Sequence, residues 1–329
     1  MRSAIQSELT NSKADEASSY IDQAEDYFRA AVSAETSATR PVLFYYSFLN
    51  IAKAFITLRT NSSRSPAKHG LSEQLATGGA ELTDAFLYAY RTNASSYNIY
   101  DSLKRALTGS AISTSRIRID VSDLLPQILQ GHRIWCSIQT ETERFISLDR
   151  IRFLSDSKSK TMWLAIYVIA DDLSRLALSR KKFLQGSGLD ASFHEVTHKG
   201  KKYNRDVLKF EQKHPISYTH RPSDKIQDLV DLIKPKLWAN VTSYPPYRKY
   251  YVHVAPDGGY KPTNQILAIY ALIFYLGSVT RYRPHKYLEM MSGEYGAQLS
   301  EVLTNLPNQF TYLMASEFVK QDVAHAAII

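Results

Sequence analysis

The N-terminal part of the chain shows hydrophobic patterns of helical period. Between Ser12 and Ser33 apolar residues recur every three or four positions, which predicts an amphipathic helix with one buried stripe. Pro41 suits the first turn of the next helix, and Val42–Ile56 is apolar nearly all round. We therefore expect this second helix to be buried on most sides. A further helix is expected after Gly70.

The middle of the chain changes to patterns of strand period. Arg116–Val121 and Phe145–Leu154 alternate between polar and apolar residues, and Thr161–Ala170 is rich in β-branched and aromatic residues. Short, basic, strand-like pieces follow between Ser192 and Phe210, and Lys236–Val254 is aromatic and extended. These patterns predict a β-containing region.

The C-terminal part returns to helical period. Asn264–Tyr282 predicts a strongly apolar helix, and Pro284 interrupts it or starts a new one. Gln298–Leu306 and Gln309–Ala324 predict two more helices.

The order of these elements predicts an α+β fold that is mainly α. A helical core would be assembled from both ends of the chain, around an inserted region that contains strands. The expected parts are an N-terminal helical part (1–110), a mixed insert (111–260) and a C-terminal helical part (261–329).

Composition favours a soluble protein of a reducing compartment, and we expect a cytoplasmic location. Cys136 is the single cysteine among 329 residues, so the chain cannot form an internal disulfide. The polar N-terminus lacks the apolar stretch of a signal peptide. The longest apolar run, near 266–279, is interrupted and shorter than the ~20 residues that span a membrane. It predicts a core helix rather than a membrane segment.

Positive charge is concentrated in one region of a chain whose formal charge is +8. The range from Arg175 to His214 holds ten Lys or Arg residues against four acidic residues, a net charge of +6. Such a region attracts RNA or acidic partners, or else forms a solvated loop. The candidate nucleic-acid-binding residues in this basic segment are Arg180, Lys181, Lys182, Lys199, Lys201, Lys202 and Arg205.

Polar residues inside the apolar helix are a separate signal. Asn50 and Lys53 lie within Val42–Ile56, and buried polar groups need partners. His69 is expected to orient a turn by bonding the backbone, and contact with a ligand is the alternative role. The chain also contains 22 tyrosines, which favours half-buried core residues or a surface on which bases stack.

Two segments resemble the bacterial YaaC-like family, over about residues 15 to 320. The first is RPVLFYYSFLNIAKAF (Arg40–Phe55), followed by KHGL (Lys68–Leu71). The second is IFYLGSVTRYRPHKY (Ile273–Tyr287), with MASEF (Met314–Phe318) near the end.

The first segment also resembles the helical HEPN superfamily, in a Tyr-Tyr helix followed by a His-Gly-Leu turn. That resemblance implies a helical bundle, commonly a dimer, that cleaves RNA or binds RNA, nucleotides or a partner. HEPN ribonucleases carry an Arg-x(4–6)-His motif on a late helix. Here Arg281 and His285 have three residues between them, and the four-residue spacing of Arg64 and His69 falls in an early loop.

Arg281 and His285 are the candidate catalytic residues, because metal-free RNA cleavage needs a base and a cation. Arg283 is a further candidate for phosphate binding. In the structural alternative, Pro284 starts a helix and the arginines cap carbonyls or pair with Glu289 or Glu317. The sequence lacks zinc-ligand spacing, a P-loop and a dinucleotide motif, so neither a metal nor a cofactor is expected.

The leading hypothesis is a HEPN-related protein in bacterial stress or anti-phage defence that binds RNA or a partner complex. It would lack a complete catalytic site of its own. The first alternative is a ribonuclease toxin that uses Arg281 and His285. The second is a structural subunit whose tyrosine-rich surface docks another protein, and a homo- or hetero-oligomer is expected in each case.

Overall fold

A computed structural model describes residues 1–35, 38–60, 67–256, 260 and 262–323. The chain has a mixed α+β fold, about 50% helical and 22% strand, with several small sheets. This composition confirms the predicted α+β class.

The helices lie mainly in the first and last thirds of the chain. They are α1 (Arg2–Glu8), α2 (Asn11–Ser33), α3 (Arg40–Thr60), α4 (Ile99–Thr108), α5 (Val121–Leu124), α6 (His132–Gln139), α7 (Ala170–Arg175), α8 (Arg180–Gly186), α9 (Ile226–Ile233), α10 (Gln265–Tyr282), α11 (Pro284–Ser292) and α12 (Gly296–Val319).

The strands are short and lie mainly between the long helices. They are β1 (Ala67–Lys68), β2 (Leu71–Leu75), β3 (Ala85–Tyr90), β4 (Tyr97–Asn98), β5 (Arg116–Asp120), β6 (Phe145–Ser147), β7 (Arg150–Asp156), β8 (Thr161–Ile169), β9 (Phe193–Val196), β10 (Lys201–Lys202), β11 (Arg205–Gln212), β12 (Ile216–Ser217), β13 (Leu237–Val241) and β14 (Arg248–His253).

The chain divides into two compact units. Among the described residues, the helical unit contains Met1–Glu141 together with 265–323, and the β-rich unit contains Thr142–Asn264. The boundaries predicted from the sequence are 110/111 and 260/261. The first boundary lies later in the structure because β5, α5 and α6 belong to the helical unit.

The core of the helical unit joins the two ends of the chain. Helix α3 packs against α2 and α10, and α12 also contacts α3. The rings of Phe48 and Phe310 stack with centroids 3.8 Å apart. Gly277 permits close approach of α10 to α3, since a Cβ atom there would lie 3.2 Å from the Pro41 carbonyl oxygen and 3.4 Å from the Tyr45 Cβ. The predicted packing of one end against the other is therefore present.

Helices α3 and α10 are long and apolar enough to cross a membrane by composition alone. Within the helical unit they are core elements, because 78% of the apolar window of α3 and 83% of that of α10 are buried. This burial is consistent with a soluble protein and agrees with the predicted core helix near 266–279.

A three-stranded antiparallel sheet, in the order β2–β3–β5, lies in the helical unit. The helix predicted after Gly70 is wrong, because Leu71–Leu75 forms β2 and pairs along its length with β3. The strand predicted at Arg116–Val121 is confirmed as β5. Near the C-terminus, the two predicted helices are one continuous helix, α12, which accommodates Pro307.

The β-rich unit is built on β8, which pairs with β7, β11 and β12. Its register places Ile166 opposite Ile151 and Phe210. Helices α7, α8 and α9 cover one face of this sheet with apolar side chains. The buried residues that form this core include Leu164, Ile166, Val168, Leu173, Phe183, Phe210, Leu229 and Ile233.

The Phe48–Phe310 stack predicts the stability of the helical unit. Phe48→Ala leaves a cavity between α3 and α12 and is expected to lower the free energy of unfolding by about 3–5 kcal/mol. Urea unfolding monitored by circular dichroism measures this loss. Phe310→Ala should cost less in the Phe48→Ala background than alone, because the contact has already been removed. Fully additive losses would contradict a direct stack.

Candidate functional site

The turn that carries His69 is fixed by the backbone of the helical unit. Gly70 has a φ of +79°, and a Cβ atom there would lie 3.1 Å from the Tyr100 amide nitrogen. The His69 carbonyl accepts from that amide at 3.2 Å, and the Gly70 carbonyl accepts from the Tyr90 amide at 2.9 Å. The predicted contact of His69 with the backbone therefore runs through its main chain, and its side chain is left for another partner.

That partner is Tyr45 on α3. A hydrogen bond of 2.5 Å joins the Tyr45 hydroxyl to His69 Nδ1. Tyr45 is 2% exposed, and its ring packs edge-on against Phe274 of α10 at 5.2 Å. Burial raises the pKa of the Tyr45 phenol, so the phenol keeps its proton. We infer that Tyr45 donates to Nδ1 and that the neutral imidazole carries its own proton on Nε2.

Two positive charges act on this imidazole. Burial lowers the pKa of His69, and the charges of Arg281 and Lys53 lower it further. Arg281, in the last turn of α10, donates to the Tyr46 hydroxyl at 2.9 Å. Lys53 Nζ lies 5.3 Å above the ring of Tyr20. Within the described part of the chain, neither cation has a carboxylate within 4 Å.

The face of α3 toward these groups also holds a buried amide. Tyr46, Asn50 and Lys53 follow the i, i+4, i+7 spacing of one helix face. Asn50 is 2% exposed. Burial also lowers the pKa of Lys53. We name Tyr45, Tyr46, Asn50, Lys53, His69 and Arg281 the His69 cluster.

Helix α2 adds aromatic rings beside this cluster. Tyr27 stacks on Tyr46 with centroids 5.4 Å apart, and Tyr20 lies under the Lys53 ammonium. The cluster therefore combines N–H donors, positive charge and aromatic faces, which are the groups that bind phosphates and bases. Sequence analysis named Asn50, Lys53, His69 and Arg281, but it missed Tyr20 and Tyr27.

The candidate catalytic pair is divided by a helix break. Arg281 ends α10, Pro284 starts α11, and Arg283 between them has a non-helical backbone (φ −139°, ψ 59°). His285 is exposed on α11, one turn before Glu289. No hydrogen bond joins the side chains of Arg281 and His285 in the described residues. Arg64, the other motif arginine, lies outside those residues.

Arg283 is held by two buried carboxylates. Its Nε donates to Glu81 at 2.8 Å, and its Nη2 pairs with Glu73, whose side chains are 8% and 6% exposed. The Tyr275 hydroxyl donates to Glu81 at 2.6 Å. Burial lowers the pKa of Arg283, but its hydrogen bonds to Glu81 and Glu73 raise that pKa by more, so the net shift is upward. These two ion pairs favour a structural role for Arg283. Its acidic partners are Glu73 and Glu81 instead of the predicted Glu289 or Glu317.

The basic segment carries less free charge than its sequence suggests. Four of its seven candidate residues pair with acidic side chains, and two of those acids, Asp149 and Asp171, lie outside the segment. The pairs are Arg180–Glu195 at 2.6 Å, Arg205–Asp171 at 3.7 Å, Lys201–Asp206 at 3.9 Å and Lys202–Asp149. Lys181, Lys182 and Lys199 are exposed. The free cations are thus scattered over α8 and the β9–β10 connection.

These observations define an α+β protein whose terminal helices enclose a basic and aromatic cluster. A sequence model of the YaaC-like protein family matches residues 2–318, so the chain belongs to that family. Comparison with curated proteins and with solved structures found no match to either. Among the described residues, no group of three His, Cys, Asp or Glu side chains could hold a metal ion.

The Arg283 ion pairs predict a change in stability. Arg283→Met leaves the Glu73 and Glu81 carboxylates buried without a counterion, and is expected to lower the free energy of unfolding by about 3 kcal/mol or more. Urea unfolding measures this change. Arg281→Met, two residues earlier and exposed, is the matched control and should change stability little. Equal effects of the two variants would refute a structural role for Arg283.

The His69 cluster predicts a dependence on pH. Folding lowers the pKa of His69 from its ordinary 6.5. At pH values between the folded and the unfolded pKa, the imidazole is therefore protonated in the unfolded chain and neutral in the folded chain. The contribution of His69 to stability is therefore lost as the pH falls through 6.5 toward the folded pKa. An NMR titration of the imidazole should give a pKa below 6.5. Arg281→Gln should raise that pKa by removing a nearby positive charge, and Arg29→Gln should not.

Proposed function

We propose that this YaaC-like protein binds RNA through the His69 cluster and does not carry a complete catalytic site of its own. The observation that supports this function is the convergence of Lys53, His69 and Arg281, where no carboxylate of the described residues pairs with either cation. An RNA phosphate would supply the missing negative charge. The expected location is the cytoplasm.

Each member of the cluster has a role in this proposal. Arg281 and Lys53 provide the charge that attracts a phosphate, and His69 donates through Nε2–H. Asn50 adds an amide on the same face of α3. The rings of Tyr20 and Tyr27 are positioned for contact with a base or a sugar.

The tautomer of His69 supports binding rather than cleavage. A general base must accept a proton, but in the tautomer that we infer Nδ1 accepts from Tyr45 and Nε2 carries the remaining proton. The separation of Arg281 from His285 by the helix break at Arg283 also argues against the ribonuclease alternative. Cleavage with these two residues would require α10 and α11 to rearrange.

The resemblance of α3 and the His-Gly-Leu turn to HEPN proteins supports a wider setting for this proposal. The protein would act in bacterial stress or anti-phage defence, as a homodimer or within a multi-subunit complex. The basic segment, through Lys181, Lys182 and Lys199, would add a weaker electrostatic contribution to RNA binding.

The proposal is tested by RNA binding measured across a range of salt concentrations. Lys53→Met and Arg281→Gln are each expected to weaken binding about tenfold and to reduce the salt slope by about 0.7 for each lost phosphate contact. Arg29→Gln removes an equally positive but ion-paired side chain of α2 and serves as the control. Unchanged affinity in both cluster variants would overturn the proposal.

The same samples test the ribonuclease alternative. Incubation of the purified protein with total RNA, compared with His285→Ala and His69→Ala, measures cleavage directly. RNA that stays intact agrees with binding alone. Cleavage that disappears in His285→Ala would establish the ribonuclease and disprove the assignment of a binding-only role.

A further inference from the structure

The sheet β2–β3–β5 exposes a row of aromatic rings on the face opposite its buried side. Along β3, Ala85, Leu87 and Ala89 are buried, while the alternate residues are partly exposed. These alternate residues are Phe86, Tyr88 and Tyr90. The ring centroids of Phe86 and Tyr88 are 5.3 Å apart, and those of Tyr88 and Tyr90 are 6.4 Å apart.

Two arginines of the neighbouring strand lie on these rings. The guanidinium of Arg118 is 3.9 Å from the centroid of Phe86, and that of Arg116 is 3.9 Å from the centroid of Tyr88. Both arginines are exposed on β5. Arg118 also pairs with Asp120 at 2.6 Å, whereas Arg116 has no carboxylate within 4 Å among the described residues. We name Phe86, Tyr88, Tyr90, Arg116 and Arg118 the β3 platform.

We propose that the β3 platform binds single-stranded RNA by stacking bases on its rings and guanidinium planes. Every base has a face that stacks on an aromatic ring or on an arginine, so such a surface accepts a strand with little dependence on sequence. The arginines also supply positive charge to the phosphates. This inference rests on the proposed RNA-binding function and identifies the form of RNA that is bound.

The chemistry of the face favours a nucleic acid over a protein partner. Guanidinium groups rather than aliphatic side chains lie on the rings of Phe86 and Tyr88, and the β2 residues on the same face, Ser72 and Gln74, are polar. Asp120 pairs with Arg118 and Asp123 lies near it, whereas Arg116 has no carboxylate within 4 Å among the described residues and keeps its charge for a ligand. A protein partner with an apolar surface would find little uncharged area here, whereas a polyanion would find complementary charge.

The platform and the His69 cluster meet at one turn. The Tyr90 amide, at the end of β3, donates to the carbonyl of Gly70, the residue after His69. Tyr90, the last ring of the platform, therefore lies beside the turn that carries His69. The two surfaces belong to the same unit.

The test compares a labelled oligouridylate with an abasic oligonucleotide of the same length, which keeps the phosphates and lacks the bases. Fluorescence anisotropy should show that the wild-type protein prefers the oligouridylate. Tyr88→Ala is expected to weaken oligouridylate binding roughly 5- to 100-fold and to remove that preference. Equal binding of the two probes by the wild-type protein would overturn the platform.

A double variant distinguishes loss of binding from loss of folding, in case Tyr88→Ala disturbs the sheet. Arg116→Gln and Arg118→Gln together replace exposed side chains and leave the sheet intact, so they should weaken binding of both probes with unchanged circular dichroism. Lys53→Met should lower affinity for both probes and keep the preference for bases. If Lys53→Met leaves the affinity for both probes unchanged while the platform variants behave as expected, the role of the His69 cluster is contradicted and the role of the platform is not.

Two other outcomes identify a different occupant. If Tyr88→Ala leaves RNA affinity unchanged but shifts the oligomeric state in sedimentation, the face is a contact between copies of the chain and the proposal is wrong. If the wild-type protein binds neither probe, both the platform and the proposed RNA-binding function are wrong.

Discussion

The packing of α10 on α3 is the contact on which the rest of the helical unit depends. Gly277 brings the two backbones close, and Phe274 packs against Tyr45. This contact has two consequences. It closes a core from residues more than two hundred positions apart in the chain, and it places Arg281, at the end of α10, beside Tyr46 and near His69. The cluster is therefore a product of core packing and not of a local motif.

Two arginines separated by one residue have opposite environments. Arg283 pairs with Glu73 and with Glu81, which also accepts from the Tyr275 hydroxyl, and these bonds hold the β2–β3 hairpin against the end of α10. Arg281 faces a tyrosine hydroxyl and lacks a carboxylate within the described chain. The helix break at Arg283 turns the two side chains toward different partners. A cation with compensated charge stabilises a fold, whereas an uncompensated one attracts a ligand.

The His69 cluster places two basic side chains, Lys53 and His69, where burial disfavours their charged forms. Burying a lysine or a histidine disfavours its charged form, and the pKa values of Lys53 and His69 fall for that reason. Among the described residues neither side chain is paired with an acid, although Tyr20 and Tyr45 provide aromatic and hydrogen-bond contacts. Perturbed pKa values of this kind cluster at functional sites, and the proposed binding of a phosphate rests on this contrast.

Local pattern alone determined the elements that carry strong periodicity or composition. It identified α2, α3, α10 and β8, the helix restart at Pro284, and Asn50 and Lys53 as polar exceptions in an apolar helix, because these features depend on neighbours in the chain. Tertiary structure decided the rest. Leu71–Leu75 forms a strand because it pairs with β3. Asp149 and Asp171 form ion pairs with residues of the basic segment. Glu73 and Glu81 form ion pairs with Arg283. Each of these outcomes depends on which distant side chains meet in space, and a linear pattern does not contain that information.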